Sequence, residues 1–139
     1  MNLETKSESD CIFCKIIGGE VPCYKIWENE KFFLFLDRMP INPCHMLLIP
    51  KKHEVEVFDL DDELYSEIFS LVKKISKPLK EVTKAKRIGL AVEGLGIFHS
   101  HVHIVPIYNS NELNPERAKM ASEEELEKSH KMLAEKIMI

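Results

Sequence analysis

The sequence contains no apolar run that approaches the length of a bilayer-spanning helix, which argues against a helical membrane protein. It also has no basic stripe interleaved with aromatic residues, and its formal net charge is −4. The lysines between Lys73 and Lys86 lie along a predicted helix, where they are expected to form its solvent-exposed face. A protein that binds a nucleic-acid backbone is therefore disfavoured. The first ten residues are polar and acidic, unlike a signal peptide, so a cytoplasmic protein is expected.

A disulfide framework is not indicated either, although cysteines occur at positions 11, 14, 23 and 44. Without an export signal the thiols should stay reduced. The Cys11-x-x-Cys14 pair instead points to metal or redox chemistry, because two thiolates at this spacing can bind zinc together with two further ligands. Redox use would need the βαβ context of thioredoxin-like proteins, which this sequence lacks.

Length and composition indicate one globular domain at residues 10–139 behind a flexible tail at residues 1–9. Of the 139 residues, 45% are hydrophobic and 30% are charged, as in ordinary soluble domains. Apolar and aromatic runs bounded by turn residues predict strands. The predicted strands lie at residues 23–27, 32–37, 45–49, 88–92 and 101–108.

Two longer helices complete the predicted fold. Apolar residues recur at helical spacing over residues 62–84, and Pro78 predicts a kink or an early end near Lys77. Ser122-x-x-Glu125 is a capping box that begins a C-terminal helix. The sequence therefore predicts an α+β domain with a mostly antiparallel five-stranded sheet, a long helix packed on it and a C-terminal helix.

The most informative segment carries histidines at positions 99, 101 and 103. Side chains on a strand alternate between its two faces, so the three imidazoles are predicted to point the same way. A single satisfied core histidine is common, but three at a period of two gain little as ordinary core. The pattern therefore indicates a functional site.

Two functional interpretations of these histidines stay open at this point. In the first they bind a metal, although residues i and i+4 of a strand are about 13 Å apart, so one ion can bind only a neighbouring pair. In the second, His101 is a nucleophile that attacks phosphorus, with one ring nitrogen held as a donor and the other free. His99 and His103 would then bind phosphate oxygens or protonate the leaving group.

The segment from His99 to Val105 resembles the motif of the histidine-triad (HIT) family, in which three histidines alternate with apolar residues. Three further segments resemble family blocks in family order: Cys11 to Ile17, Phe35 to Asp37 and His45 to His53. The resemblance spans residues 11–108. It implies a HIT-like fold, nucleotide binding, a homodimer, and hydrolysis or transfer at the α-phosphorus through a covalent nucleotidyl-histidine.

The resemblance also implies roles for single residues. His101 would be the nucleophile, His103 would contact the phosphate and assist the leaving group, and His45 would support the site from the neighbouring strand. Asp37 matches the acid that binds the ribose hydroxyls. The apolar residues that enclose the base would be Phe13, Ile16 and Phe35. Core packing is the alternative for all three, and for Ile16 it is almost as good an interpretation.

Three features depart from the family pattern. Ser100 stands where an apolar residue is usual, and its side chain is predicted to point away from the histidines. Cys44 replaces a usual glycine. The loop at residues 92–98 is about four residues shorter than usual and lacks the family's side-chain amide and hydroxyl. Only the backbone of Gly94 and Gly96 is then left to bring N–H groups to a phosphate.

One branch of the family binds zinc with a Cys-x-x-Cys pair and two histidines. The matching residues here are Cys11, Cys14, His53 and His99. They imply a structural zinc site with no open position, in which His99 binds the metal and His101 stays free to attack.

Together these features predict a nucleotide hydrolase or transferase. The substrates that the resemblance implies are nucleoside phosphoramidates, aminoacyl adenylates and dinucleoside polyphosphates. A zinc-stabilised, nucleotide-binding adaptor with little turnover is the alternative from another class, and the shortened loop is its support. A catalytic zinc hydrolase is the third interpretation.

Overall fold

The structure, a computed structural model, describes residues 8–139 of the chain. Most of the predicted flexible tail, residues 1–7, lies outside the described residues, and Glu8–Asp10 forms a 3-10 turn. Helix α1 (Ile12–Ile17) follows. Within the described part of the chain, no helix is long and apolar enough to cross a membrane.

A five-stranded sheet with the strand order β1-β2-β3-β5-β4 forms the centre of the fold. Its strands are β1 (Lys25–Glu28), β2 (Phe32–Leu36), β3 (Met46–Pro50), β4 (Arg87–Ala91) and β5 (Val102–Ile107). All four pairings are antiparallel. The predicted α+β class with an antiparallel five-stranded sheet and packed helices is therefore confirmed.

The long helix α2 (Asp62–Thr83) packs on one face of the sheet. It begins where the Asp61 side chain accepts a hydrogen bond from the Leu64 N–H at 2.9 Å, which satisfies one N–H of the first turn. Its buried side chains recur at helical spacing and join the core side chains of β2, β3 and β5. They are Ile68, Val72, Ile75 and Leu79.

Helix α2 continues through Pro78, so the predicted early end near Lys77 does not occur. A proline within a helix deprives the carbonyl four residues earlier, here that of Lys74, of its usual donor. Lys74 lies on the exposed side of the helix, where water can satisfy that carbonyl. The buried side chains of Ile75 and Leu79 hold this part of the helix against the sheet.

The C-terminal helix α3 (Glu123–Ala134) packs beside β1. Ser122 caps it by accepting a hydrogen bond from the Glu125 N–H at 3.1 Å, as the capping box predicts. The Nε2–H of His130 donates to the carbonyl of Lys25 at 2.9 Å and ties the helix to the first strand. His130 therefore has a packing role.

The opposite face of the sheet carries a second apolar cluster beside the histidines. Strands β2 and β3 contribute alternate residues to it, and α1 covers it. Its buried members are Cys11, Phe13, Phe33, Phe35, Leu47 and Ile49. The cluster thus fixes α1 and its cysteines against the face of the sheet that carries the site.

Strand β5 begins at Val102, so His99 and His101 precede it and only His103 is a strand residue. The strand therefore begins one residue later than predicted, although the His101 ring lies 5.1 Å from that of His103 and packs with His99 against Phe13. Pairing with β3 ends at Val102, and the Ser100 N–H instead donates to the carbonyl of Glu54 at 2.6 Å. This departure from the sheet allows the three rings to enter different surroundings.

Ser100 is the one non-apolar residue between the triad histidines. Its side chain is buried, and its Oγ has no hydrogen-bond partner among the residues that the structure describes. A buried hydroxyl without a partner loses the hydrogen bonds that water gives it in the unfolded chain, which costs about 1–3 kcal/mol.

Substitution of Ser100 by Ala should therefore raise the free energy of unfolding by about 1 kcal/mol, measured by urea denaturation. Ser110→Ala is the matched control, since Ser110 is exposed, and it should change that free energy by less than about 0.5 kcal/mol. A destabilised Ser100→Ala protein would contradict the expectation and show that the hydroxyl is hydrogen-bonded in solution.

Candidate functional site

The structure brings together all four residues that were predicted to bind metal. One ligand atom from each of Cys11, Cys14, His53 and His99 lies within 4.8 Å of the others. The His99 Nδ1 atom lies 3.4 Å from the Cys11 Sγ, 3.5 Å from the Cys14 Sγ and 3.3 Å from the His53 Nδ1. A fourth edge joins the Cys14 Sγ and the His53 Nδ1 at 3.3 Å.

These distances fit the edges of a tetrahedron around one zinc ion. Zinc–nitrogen bonds of about 2.05 Å and zinc–sulfur bonds of about 2.3 Å give N···N edges of about 3.3 Å and N···S edges of about 3.6 Å. The Nε2–H of His99 donates to the carbonyl of Pro50 at 2.7 Å, so its Nδ1 presents a lone pair to the cluster. Donor types, spacing and tautomer therefore all fit a tetrahedral metal ion.

His101 lies outside that cluster, and its ring has a different anchor. Its Nδ1–H donates to the backbone carbonyl of His99 at 2.7 Å, so the lone pair of a neutral ring is on Nε2. Its ring centroid lies 5.3 Å from that of Phe13 and 5.1 Å from that of His103. One ring nitrogen is therefore held by a hydrogen bond, and the other has no hydrogen-bond partner among residues 8–139.

His45 and His103 form a second hydrogen-bonded group with Asp37. The backbone N–H of Ile41 donates to the His45 Nδ1 at 3.0 Å, so the hydrogen of the neutral His45 ring is on Nε2. That Nε2–H donates to the His103 Nδ1 at 2.9 Å, with the Asp37 Oδ2 at 3.4 Å. The hydrogen of His103 is consequently on its own Nε2.

This second group has the composition of a metal site but not its hydrogen-bonding pattern. Asp37, His45 and His103 each offer one ligand atom within 4.8 Å of the others. A metal on the His45 Nε2 would move the ring hydrogen to Nδ1, directly against the donating N–H of Ile41. The group therefore does not fit a metal, and it suits a chain of oriented neutral imidazoles.

Burial keeps these imidazoles neutral at physiological pH. It lowers the pKa of His45 from 6.5 to about 3, with the nearby His103 as a second cause, and that of His103 to about 4, with His101 as a second cause. The pKa of His101 is also lowered by burial, while that of Asp37 is raised, again chiefly by burial. A neutral His101 retains the lone pair that a nucleophile needs.

Apolar side chains border the rings. Phe13 packs edge-on against His99, His101 and Phe35, with ring centroids 5.9, 5.3 and 5.4 Å apart. Ile16 is half-buried against the same cluster. The predicted base-enclosing residues are thus together, on the side of the rings formed by α1 and β2.

A cleft of about 590 Å³ lies nearby, between the segment at residues 40–45 and helix α3. Asp37 and His45 belong to its wall, whereas His101 and His103 do not. Because the candidate nucleophile does not line it, the cleft is not the place where a phosphorus atom would meet His101.

Sequence reasoning missed several partners of the site. The backbone groups of Ile41 and Pro50 orient two imidazoles, and no residue type marks such a role in a sequence. Glu93 was also missed: its negative charge acts on the His101 ring. The strand register could have suggested it, since Ala91 of β4 pairs with His103 of β5.

An antiparallel sheet that presents three spaced histidines beside a Cys–His cluster defines the class of histidine-triad domains. The HIT domain model matches residues 18–110, and the chain belongs to the HIT family. An uncharacterized HIT-like protein of Borreliella burgdorferi is 35% identical over 109 residues, which cover 73% of this chain and 78% of that protein.

Two other similar proteins carry more informative names. An adenosine 5′-monophosphoramidase of Schizosaccharomyces pombe is 34% identical over 125 residues, or 82% of this chain and 94% of that protein. The crystal structure of a zinc-bound histidine triad family protein from Mycobacterium smegmatis matches with a TM-score of 0.80 and 27% identity. The match covers 94% of this chain and 95% of that one.

The lowered pKa of His45 predicts a loss of stability in acid. The unfolded chain takes up a proton near pH 6.5 and the folded chain only near pH 3, so the free energy of unfolding falls as the pH decreases between these values. The slope for this one group is at most about 1.4 kcal/mol per pH unit. Urea denaturation of the wild type and of His45→Asn at several pH values between 7 and 4 measures it.

The stability of the wild type relative to His45→Asn should decrease steadily over this range, because only the wild type has this histidine to protonate. Protonation of the Cys–His cluster affects both proteins and cancels in the difference. If the free energies of unfolding of the wild type and of His45→Asn differ by the same amount at pH 7 and pH 4.5, the pKa of His45 does not change on folding.

Proposed function

We propose that this protein is a nucleotide hydrolase or transferase that acts at the α-phosphate through a covalent intermediate on His101. The supporting observation is the 2.7 Å hydrogen bond from the His101 Nδ1 to the His99 carbonyl, which leaves the Nε2 lone pair available in a buried, neutral ring. The name of the similar S. pombe protein, an adenosine 5′-monophosphoramidase, supports the same reaction class.

In the proposed first step, the His101 Nε2 attacks the α-phosphorus and a P–N bond forms. The bond from phosphorus to the leaving group breaks, and its electron pair leaves with that group. His103 keeps its neutral tautomer during this step, because the His45 Nε2–H donates to its Nδ1 and its own hydrogen is on Nε2. Its Nε2–H donates a hydrogen bond to the departing atom, and the leaving group takes up its proton from solvent.

In the second step, water attacks phosphorus and releases a proton to solvent. The P–N bond breaks, its electron pair returns to the His101 Nε2, and the nucleoside monophosphate is released. His45 keeps the His103 Nδ1 occupied as an acceptor, so that the Nε2 remains the donating nitrogen.

The remaining predicted residues would bind the nucleoside. Asp37 is half-buried and would accept hydrogen bonds from the ribose hydroxyls through its Oδ2, since its Oδ1 already accepts the Met39 N–H at 2.8 Å. The base would pack against the apolar side chains described above. They are Phe13, Ile16 and Phe35.

The phosphate would be bound by backbone groups. Among the described residues, the N–H groups of Gly94, Leu95 and Gly96 have no hydrogen-bond partner in the folded chain. Gly94 has a φ of +80°, which suits glycine. Because this loop has no side-chain amide or hydroxyl for a phosphate, a nucleotide-binding adaptor with little turnover is the second candidate function.

Substitution of His101 by Ala should abolish turnover of adenosine 5′-phosphoramidate, by at least about a thousandfold in kcat, because the nucleophile is removed. The circular dichroism spectrum and the unfolding midpoint should stay close to those of the wild type. Mass spectrometry of acid-sensitive adducts after rapid mixing with substrate should map the added nucleotide to His101.

His130→Ala provides the matched control, since His130 lies far from the site in the hydrogen bond to Lys25. It should retain full turnover. Wild-type turnover that survives in His101→Ala would refute the nucleophile, whereas binding of nucleotides without turnover or adduct would favour the adaptor.

We also propose that the Cys–His cluster binds zinc with a structural role. The fit of the four ligand atoms to a tetrahedron and the zinc-bound M. smegmatis relative support this. With four protein ligands, zinc would have no open position for a substrate, which disfavours a catalytic zinc hydrolase. Its contribution would be to fix His99, whose carbonyl holds the His101 ring.

Purified protein should contain about one zinc per chain by elemental analysis, and Cys14→Ser should contain much less. The Cys14→Ser protein should also have a lower thermal midpoint, since metal binding adds to folding free energy. Cys23→Ser is the control and should keep its zinc, because Cys23 lies outside the four-ligand group. Equal metal content in the two variants, or none in the wild type, would contradict the proposal.

A further inference from the structure

Glu93 follows strand β4 by two residues, at the end of the sheet where β5 begins. Strands β4 and β5 are antiparallel, with Ala91 opposite His103. Glu93 is two residues after Ala91, and His101 is two residues before His103. The segment from Ala91 to Gly94 contains no turn or bend. Side chains two apart on an extended chain share a face, so Glu93 is on the histidine side of the sheet.

Two acidic residues act on the His101 ring. The negative charges of Asp37 and Glu93 both favour its protonated form. Asp37 is half-buried on the nucleoside side of the site, whereas Glu93 is exposed at the start of the loop that would bind phosphate. The phosphate would thus meet uncharged N–H donors beside a carboxylate, in a loop, residues 92–98, that contains no lysine or arginine.

We propose that Glu93 determines specificity for the leaving group, favouring amines that carry a positive charge and disfavouring leaving groups that carry negative charge, such as a second nucleotide. This inference rests on the proposed function of the same site. It assigns Glu93 no part in the bond changes at phosphorus.

Simple electrostatics supports the direction of this preference. A departing diphosphate brings further negative charges, and no cation of the described loop would offset them beside the Glu93 carboxylate. An ammonium group a few ångströms from the α-phosphate would instead be attracted to that carboxylate. At a solvent-exposed site such a pair contributes roughly a fivefold preference, and salt weakens it.

The test uses three adenosine 5′-phosphoramidates whose leaving amines have similar size and differ in terminal charge: 1,2-diaminoethane, propylamine and glycine. Their values of kcat/KM are measured with the wild type, with Glu93→Gln and with Glu81→Gln. The last is the control, because it removes the same charge from an exposed position of α2. Ratios of variant to wild type cancel the intrinsic reactivity of each amine.

Glu93→Gln should lower kcat/KM for the diaminoethane compound about fivefold relative to the propylamine compound, and raise it by a similar factor for the glycine compound. Glu81→Gln should leave both ratios unchanged. The effect of Glu93→Gln should shrink when NaCl is raised from about 50 mM to about 0.5 M. Thermal midpoints near that of the wild type verify that the variants are folded.

Normal turnover with ratios that Glu93→Gln does not alter would overturn this inference alone and leave the reaction at His101 intact. Absence of turnover and of a His101 adduct with every nucleotide would overturn the proposed function and this inference together. If Glu93→Gln and Glu81→Gln change the kcat/KM ratios equally, the effect comes from the net charge of the protein, which would also contradict a specific role for Glu93.

Discussion

The site depends on a single residue, His99, that is held from two sides. Its ring nitrogen Nδ1 belongs to the Cys–His cluster, because its Nε2–H is bound to the Pro50 carbonyl. Its own carbonyl accepts the Nδ1–H of His101. Backbone and side chain of one residue thus connect the Cys–His cluster with the lone pair of the candidate nucleophile. Any shift of His99 would disturb the hydrogen bond that fixes the tautomer of His101, so a metal ion bound in the cluster would influence this ring without touching it.

A second backbone group, the N–H of Ile41, leads to the opposite tautomer in His45 and His103. The N–H of Ile41 fixes the hydrogen of His45 on Nε2, and this in turn fixes that of His103 on Nε2. His101 presents a lone pair and His103 presents a hydrogen, although both are neutral imidazoles with pKa values lowered by burial. Two histidines of one motif therefore obtain complementary hydrogen-bonding roles from neighbouring backbone groups.

The sequence was informative where side-chain pattern decides structure. The apolar face of α2 and the capping residue Ser122 follow from spacing and residue type. The association of the cysteine pair with His53 and His99 was implied by the resemblance to the HIT family. The sequence was uninformative where backbone hydrogen bonds determine the local structure. The backbone hydrogen bond from the Ser100 N–H to the Glu54 carbonyl lies where the predicted strand would have begun. Neither side chain indicates this bond in the sequence. The position of Glu93 likewise depends on strand register, which the hydrophobic pattern alone leaves open beyond the end of a strand.

The turn before His45 shows how a departure from the family pattern can be tolerated at such a site. Cys44 has a φ of +72°, in the left-handed region where a glycine is unstrained and a side chain costs about 1–2 kcal/mol. The same turn returns the chain so that the Ile41 N–H reaches the His45 ring, and the His45 N–H donates to the Asn42 carbonyl at 3.2 Å. Relaxing the backbone at Cys44 would move the donor that sets the tautomers of His45 and His103. The strain is therefore retained because the hydrogen bonds on both sides of the turn and the burial of the Cys44 thiol offset it.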